Sequence, residues 1–233
     1  MSEAPFYVSP QQVMKDRADF ARQGIARGRS VVVIGCAAGI LIVADNPSSP
    51  ALHKVGEIYD RIGFAAVGKY NEFENLRVAG IRYADLRGYS YDRSDVTARG
   101  LANAYAQTLG TVFTQDHKPY EVELVVAEVG RSAARDQLYR ISYDGSIADA
   151  RCHVAIGGDA EAINEVLDQR WRAELTTPAA LALATQALAE SGERTEPLDA
   201  DDLEAALLER AREGRCFTRL PSATVRAHLE QAG

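Results

Sequence analysis

Apolar residues along this chain fall into two patterns, continuous runs and helical stripes. Val31–Ile34 and Ile40–Ala44 are continuous runs flanking Ala37-Ala38-Gly39. Runs without alternation mark strands covered on both faces, and the small residues between them predict a hairpin turn. Lys54 stands just ahead of Val55-Gly56-Glu57-Ile58, and segments 54–60 and 63–69 predict two further strands. Val122–Val129 and Gln137–Ser142 predict an antiparallel pair. A turn at Tyr143–Ser146 follows, with Gly145 at the position that needs positive φ. Cys152–Ile156 predicts another strand, broken by Gly157-Gly158.

The helical stripes lie between these runs. Ser9-Pro10-Gln11-Gln12 reads as a helix start, with Ser9 as cap, Pro10 at the first helical position and Gln12 completing a capping box. That helix runs to about Arg27 and Gly28 ends it. Its apolar stripe (Val13, Met14, Ala18, Ala21, Ile25) is narrow among many charges, which suits a helix lying on a surface or against neighbouring subunits. Helices are also expected over 71–85, 94–113, 160–171, 177–191 (with Thr177-Pro178 as its cap) and 222–231. Segment 94–113 carries a broad apolar face from Val96 through Leu101, Tyr105 and Leu109 to Val112. Leu203–Arg212 has the composition of a helix when taken locally. The order of elements predicts an α/β (α+β) chain with antiparallel sheets and helices on both outer faces.

Composition narrows the function. The 233 residues are 46% hydrophobic, enough for a sizeable core, with net charge −7 and a pI of about 5.2. An acidic chain is a poor match for the phosphate backbone, so no nucleic-acid partner is expected. Cys36, Cys152 and Cys216 lack zinc-finger spacing and read as free thiols in a reducing compartment. His53, His117, His153 and His228 show no ligand spacing, so no metal is expected. Gly157-Gly158 lacks the Lys-Ser/Thr partner of a phosphate loop, and no cofactor is expected. No apolar run approaches the ~20 residues of a membrane span, and residues 1–30 lack a secretory apolar region. The expectation is a soluble, cytoplasmic protein without a membrane partner.

Several longer stretches carry a family resemblance: YVSP at 7–10, KVGEIYDRIGFAAVGKYNEFENLR at 54–77, DLRGYSYDR at 85–93, LANAYAQTLGTVFTQ at 101–115, KPYEVEL at 118–124 and YRISYDGSIAD at 139–149. In this order and spacing the chain resembles the α subunits of the proteasome core particle, of the actinobacterial type, from Tyr7 to about Thr218. The resemblance implies a four-layer α-β-β-α sandwich of the N-terminal-nucleophile (Ntn) hydrolase kind, with two antiparallel sheets and an extra N-terminal helix. It divides the chain into a gating tail (1–9), a helix on the ring surface (10–28) and the sandwich (29–233). It also implies that 203–212 is a strand, overriding the local helical composition. The implied assembly is a homoheptameric α ring, paired with proteasome β subunits in an α7β7β7α7 cylinder. A ring-shaped AAA ATPase, and an ATP-independent activator, would dock on it to deliver unfolded proteins tagged with a ubiquitin-like modifier.

The same resemblance assigns site residues. A catalytic relative uses an N-terminal threonine, an acidic residue and a lysine. Those positions fall here near Ser30, Asn46 and Lys54, so only the lysine matches and no catalytic residue is expected. Ser30 has its nitrogen in a peptide bond, Asn46 is not acidic, and Arg29 stands where self-processing calls for glycine. The alternative is a self-processed Ntn amidohydrolase with Ser30 as nucleophile. Lys54 is implied to dock the C-terminal carboxylate of an activator, with Gly68 and Lys69 lining the same pocket. Phe6, Tyr7, Val8, Ser9 and Pro10 are implied to form the gate. Here the Tyr-Asp-Arg group that many members carry ahead of Ser-Pro is absent, and Asp19 stands where they carry a helix tyrosine. Gln115, Asp116, His117 and Lys118 are implied to ring the channel below the gate. Arg17, Asp19 and Arg22 would pair across subunits.

Overall fold

Ten strands and six helices are built from these segments in a computed structural model, in which the structure describes residues 9–47, 52–191 and 198–232. The strands are β1 (Val31–Cys36), β2 (Gly39–Asp45), β3 (Val55–Tyr59), β4 (Ile62–Gly68), β5 (Val122–Glu128), β6 (Gln137–Ile141), β7 (Ile147–Ala150), β8 (His153–Ile156), β9 (Leu203–Glu209) and β10 (Phe217–Leu220). The helices are α1 (Pro10–Ala26), α2 (Tyr70–Ser90), α3 (Ala98–Gln115), α4 (Ala160–Arg170), α5 (Thr177–Ser191) and α6 (Ser222–Ala232). Two five-stranded sheets form, in the orders β10-β9-β2-β1-β8 and β3-β4-β5-β6-β7, with every pairing antiparallel.

The continuous apolar runs follow from where the sheets sit. Val31 and Val33 of β1 face the layer between the sheets, with Ile40, Ile42, Val67 and Val125. Val32 and Ile34 point the other way, onto α4 and α5 through Ile163, Leu167 and Leu181. The second sheet does the same: Ala65 and Val67 point inward, while Phe64 and Ala66 pack on α2 and α3 beside Phe73, Leu101 and Leu109. Strands covered on both faces have no reason to alternate in polarity. The result is the expected α-β-β-α layering. The β1–β2 hairpin closes in register from Val31↔Ala44 to Cys36↔Gly39. Gly39 has φ of +151°, and a Cβ there would lie 1.9 Å from the Leu208 carbonyl oxygen.

Segment 203–209 is a strand, as the family resemblance implies and against its local composition. β9 pairs with β2 from Asp45↔Leu203 to Gly39↔Glu209 and is buried on both faces. Sheet pairing overrides a weak helical propensity. Other sequence expectations need correction. The helix expected from Ser94 starts at Ala98, because Asp92 takes the Ser94 N–H at 2.8 Å into a short 3₁₀ turn. Thr97 then caps α3 through the Gly100 N–H at 3.2 Å. The helix expected over 71–85 runs from Tyr70 to Ser90. β7 has an exposed, polar pattern and was not anticipated, since only its pairing with β6 makes it a strand. The cap of α5 is Thr176 rather than Thr177, accepting from the Ala179 N–H at 3.4 Å. At α1, Ser9 Oγ does accept from the Gln12 N–H at 3.2 Å, but the Gln12 side chain donates to Asp16 instead of closing a box.

Candidate functional site

Helix α1 crosses the ends of β4 and β5 and reaches the inter-sheet layer through buried Ala21 and Ile25. A Cβ on Gly24 would meet the Glu121 side chain, and one on Gly28 would lie 2.6 Å from Val67 and 3.2 Å from the Gly68 nitrogen. The chain passes from this close contact through Arg29 and Ser30 into β1. Ser30 is buried, its Oγ has no hydrogen-bond partner among the described residues, and Gly157 presses on it.

Lys54 reaches the same corner from the start of β3. Its Nζ donates to the Arg29 carbonyl at 2.7 Å and the Asp45 carbonyl at 3.1 Å. It therefore touches the backbone just before Ser30, not the serine hydroxyl. Burial pushes its pKa down to about 8, against the pull of Asp45, while the Arg29 charge lowers it further. The Asp45 carboxylate meets Arg29 Nη1 at 3.0 Å. Asn46, at the expected acidic position, is buried and donates to the Leu52 carbonyl and to Glu204, each at 2.8 Å.

Glu204 is the residue that sequence reasoning passed over. This buried carboxylate of β9 accepts from the Lys54 N–H at 2.9 Å, the Val55 N–H at 3.3 Å and Asn46 Nδ2, and also pairs with Arg219. His53 Nδ1 lies 3.1 Å away. One side chain of the first sheet thus fixes the lead-in of β3 in the second. The available signal was a single acid within Leu203–Leu208, where a lone carboxylate in a buried strand demands several donors.

The other expected residues are distributed as follows. Gly68 has φ of +118°, and a Cβ there would lie 1.8 Å from the Glu121 carbonyl oxygen, so this position is closed to other residues. Lys69 is exposed, and its N–H donates to that carbonyl at 2.9 Å. Gly28 and Arg29 join Gly68 to Lys54, so Lys54, Gly68 and the α1 end share one corner of the sandwich. Ser9 and Pro10 form the start of α1, while Phe6, Tyr7 and Val8 lie outside the described residues. Gln115 is the last residue of α3 and not loop. Asp116 and His117 follow it and are exposed. Lys118 is tied down, with Nζ 2.7 Å from both Glu72 and Glu121 and stacked 5.4 Å from the Phe20 ring. Arg17 is engaged within the chain: its guanidinium donates to the carbonyls of Phe113, Val112 and Asp116 at 2.7, 3.1 and 2.7 Å. It caps the C-terminus of α3. Arg22 meets Asp19 at 3.2 Å and lies over Tyr143.

Comparison with known proteins supplies the family. The family model described as "Proteasome subunit" matches residues 25–207, from the end of α1 through most of β9. The chain belongs to the proteasome subunit family. Within that family it is similar to "Proteasome subunit alpha" of Xylanimonas cellulosilytica, 66% identical over 231 residues and covering 95% of this chain and 93% of that one. The same-named protein of Kineococcus radiotolerans is 60% identical over 98% of this chain and 99% of its own. That of Streptomyces coelicolor is 61% identical over 97% and 90%. These relatives place the chain among the family's alpha-type subunits, as the sequence resemblance implied. Among the described residues of this proteasome subunit, no helix is long and apolar enough to cross a membrane, and no group of His, Cys, Asp and Glu is placed to hold a metal ion.

Proposed function

We propose that this chain is a non-catalytic α-ring subunit of a proteasome core particle. It templates the β ring, closes the pore with its N-terminal tail, and docks the C-terminal carboxylates of ring-shaped activators. The observation that carries the reading is Lys54: an ammonium half-withdrawn from water, bonded to two neutral carbonyls and flanked by Arg29. Lysine has three N–H donors and two are used among the described residues, which leaves one for an incoming acceptor. A carboxylate there gains a charge-assisted bond in a partly desolvated corner, where such a bond outweighs a surface pair. Gly68 lets the chain approach the Glu121 carbonyl closely, and Lys69 adds an exposed cation beside it.

The amidohydrolase alternative fares poorly against the same geometry. Ser30 is buried, continuous with α1, and its hydroxyl has no hydrogen bond to Lys54 Nζ. Processing between Arg29 and Ser30 would remove a helix whose Ala21 and Ile25 belong to the core.

The assembly reading draws on exposed apolar side chains at the end of α2. Leu86, Tyr89 and Tyr91 are 69%, 92% and 74% exposed. Large apolar groups clustered in solvent mark contact surfaces. In the ring, Ser9 and Pro10 set where the tail (Phe6, Tyr7, Val8) leaves α1. Lys118, held by Glu72 and Glu121, anchors the channel loop that presents Gln115, Asp116 and His117. The activator is read as an AAA ATPase or an ATP-independent ring, its substrates as unfolded proteins carrying a ubiquitin-like modifier, and the setting as cytoplasmic.

The test is native mass and peptidase activity of the chain alone and co-expressed with the β subunit of the same organism. A large cylinder active only with β is expected. A small species that cleaves peptides alone, with mass lost at Arg29, would overturn the reading.

A further inference from the structure

Arg29 enters the Lys54 corner twice. Its carbonyl accepts from Lys54 Nζ at 2.7 Å, and its guanidinium meets the Asp45 carboxylate at 3.0 and 3.3 Å through Nη1 alone. Asp45 in turn offers its own carbonyl to Lys54 at 3.1 Å. One residue at the end of β2 therefore orients both cations, its carboxylate holding the arginine and its main chain holding the lysine. The Arg29 side chain is 47% exposed, against 13% for Asp45. Its Nε and Nη2 make no hydrogen bond among the described residues.

We infer that Arg29 is the second cation of the docking pocket, so that the terminal carboxylate of an incoming peptide is held by Lys54 Nζ and the Arg29 guanidinium together. The inference rests on the docking reading of Lys54. Its chemistry is that of a fork: the Nε–Nη2 edge of a guanidinium matches the two oxygens of a carboxylate, whereas an ammonium binds as a point charge. The local charge agrees. Three cations in this corner (Arg29, Lys54, Arg219) face two carboxylates (Asp45, Glu204), and Glu204 is already engaged by Arg219, Asn46 and two backbone N–H groups. A monoanion neutralises the surplus. The mutual repulsion of Arg29 and Lys54 is tolerable without a ligand only because both lean on Asp45, and it turns into joint attraction once a carboxylate sits between them.

The experiment uses the particle assembled from this chain and its β subunit. The probe is the last ten residues of the ring ATPase of the same organism, fluorescently labelled, as free acid and as C-terminal amide. The readout is the ratio of the two dissociation constants by anisotropy. In the wild type the acid is expected to bind at least about tenfold more tightly than the amide. Lys54→Ala should bring the ratio near one. Arg29→Gln should cut it to about threefold or less without changing amide binding, and Arg29→Lys should recover part of it. Loss of preference in Lys54→Ala with an unchanged ratio in Arg29→Gln would remove Arg29 from the pocket and leave the docking reading standing. Equal weakening of acid and amide by Arg29→Gln would overturn the inference too, since it marks a merely structural residue. A wild type that binds acid and amide alike defeats the docking reading, and this inference with it. Should Arg29→Gln fail to assemble, the Arg29→Lys ratio decides alone: full wild-type preference there would speak against a guanidinium fork.

Discussion

Lys54, at the backbone that follows α1, and Lys118, against Phe20 of α1, are held in opposite ways. Lys118 sits 2.7 Å from two carboxylates, Glu72 and Glu121. Burial alone would lower its pKa, but the hydrogen bonds to Glu121 and Glu72 outweigh it and hold the pKa above the ordinary lysine value. Among the described residues, Lys54 Nζ has only main-chain carbonyls as hydrogen-bond partners, and burial dominates, pulling its pKa down to about 8. The first lysine is neutralised within the chain and serves to fasten loop 116–118 to α2. The second is kept charged at neutral pH at a cost, with its neutralising group missing from its own hydrogen bonds. Charge left unsatisfied beside buried structure is a mark of binding.

The largest expected effect separates the two lysines by function. Lys54→Ala should leave assembly intact and reduce activator-stimulated protein degradation by at least about tenfold, since it removes the charge the incoming carboxylate needs. Lys118→Met should change that stimulation less than about twofold. Equal effects of the two substitutions, measured as the ratio of stimulated to basal hydrolysis, would end the distinction.

Glu204 comes next. Glu204→Leu strands the Lys54 and Val55 N–H groups, one of the two Asn46 Nδ2 hydrogens and one face of Arg219. Buried donors left unpaired cost about 1–3 kcal/mol each when water cannot reach them, and Arg219 is partly exposed, so about 3 kcal/mol of destabilisation is expected. Glu72→Leu, which strands the partly buried Glu121 N–H but leaves Lys118 its bond to the Glu121 carboxylate, should cost about 1 kcal/mol. Denaturant midpoints of the purified chain would compare them, and a Glu204 variant as stable as wild type would deny the carboxylate its place as the fixing point of β3.

Much of this was legible beforehand, and the reason is physical. Strands covered on both faces announce themselves as unbroken apolar runs, so β1, β2 and β4 could be read directly, and β5 from its alternation with β6 as a pair. Helix boundaries set by a capping side chain, as at Thr97, were blurred by nearby alternatives such as Asp92 and Asp95. β7 left no trace because an exposed four-residue edge strand owes its existence to β6 and not to its own residues. β9 was misleading locally, since LEAALLE suits a helix in isolation. The Lys54 position came from the resemblance alone. Its partners Arg29, Asp45 and Glu204 could not, because they converge from three separate strands and strand lead-ins, 9 to 150 residues from it along the chain.

Docking at Lys54 should also carry a proton signature. A bound carboxylate raises the lysine pKa above its free value of about 8, so the complex holds a proton more tightly than the free particle. Affinity for the acid-terminated tail should be flat below pH 7.5 and fall as pH rises through 8, by up to about tenfold per unit. Lys54→Arg, which stays charged, should flatten that limb. A wild-type profile level to pH 9.5 would place the carboxylate elsewhere.

The smallest effect is the one whose sign is most informative. Folding lowers the Lys54 pKa, so between about pH 8 and the unfolded value of 10.5 the unfolded chain binds more protons than the native one. Native stability due to this group is therefore diminished at neutral pH and recovers as pH rises through 8. Lys54→Met removes the desolvated charge and should stabilise the isolated chain at pH 7 by about 1 kcal/mol, after allowing for the lost bonds to Arg29 and Asp45. That gain should shrink toward pH 9.5, where wild-type Lys54 is neutral. For Lys118 the folded pKa is raised, so its contribution is fully present below the unfolded value and is lost only at higher pH. With the side chain 39% exposed, solvent screening limits it, and Lys118→Met should destabilise by about 0.5–1 kcal/mol at pH 7. Opposite signs in paired denaturation curves mean that the fold sacrifices stability at one lysine for binding and collects it at the other. If both substitutions destabilise equally, the Lys54 ammonium is a structural tie between β3 and the start of β1, and its service to a partner's carboxylate would need another residue.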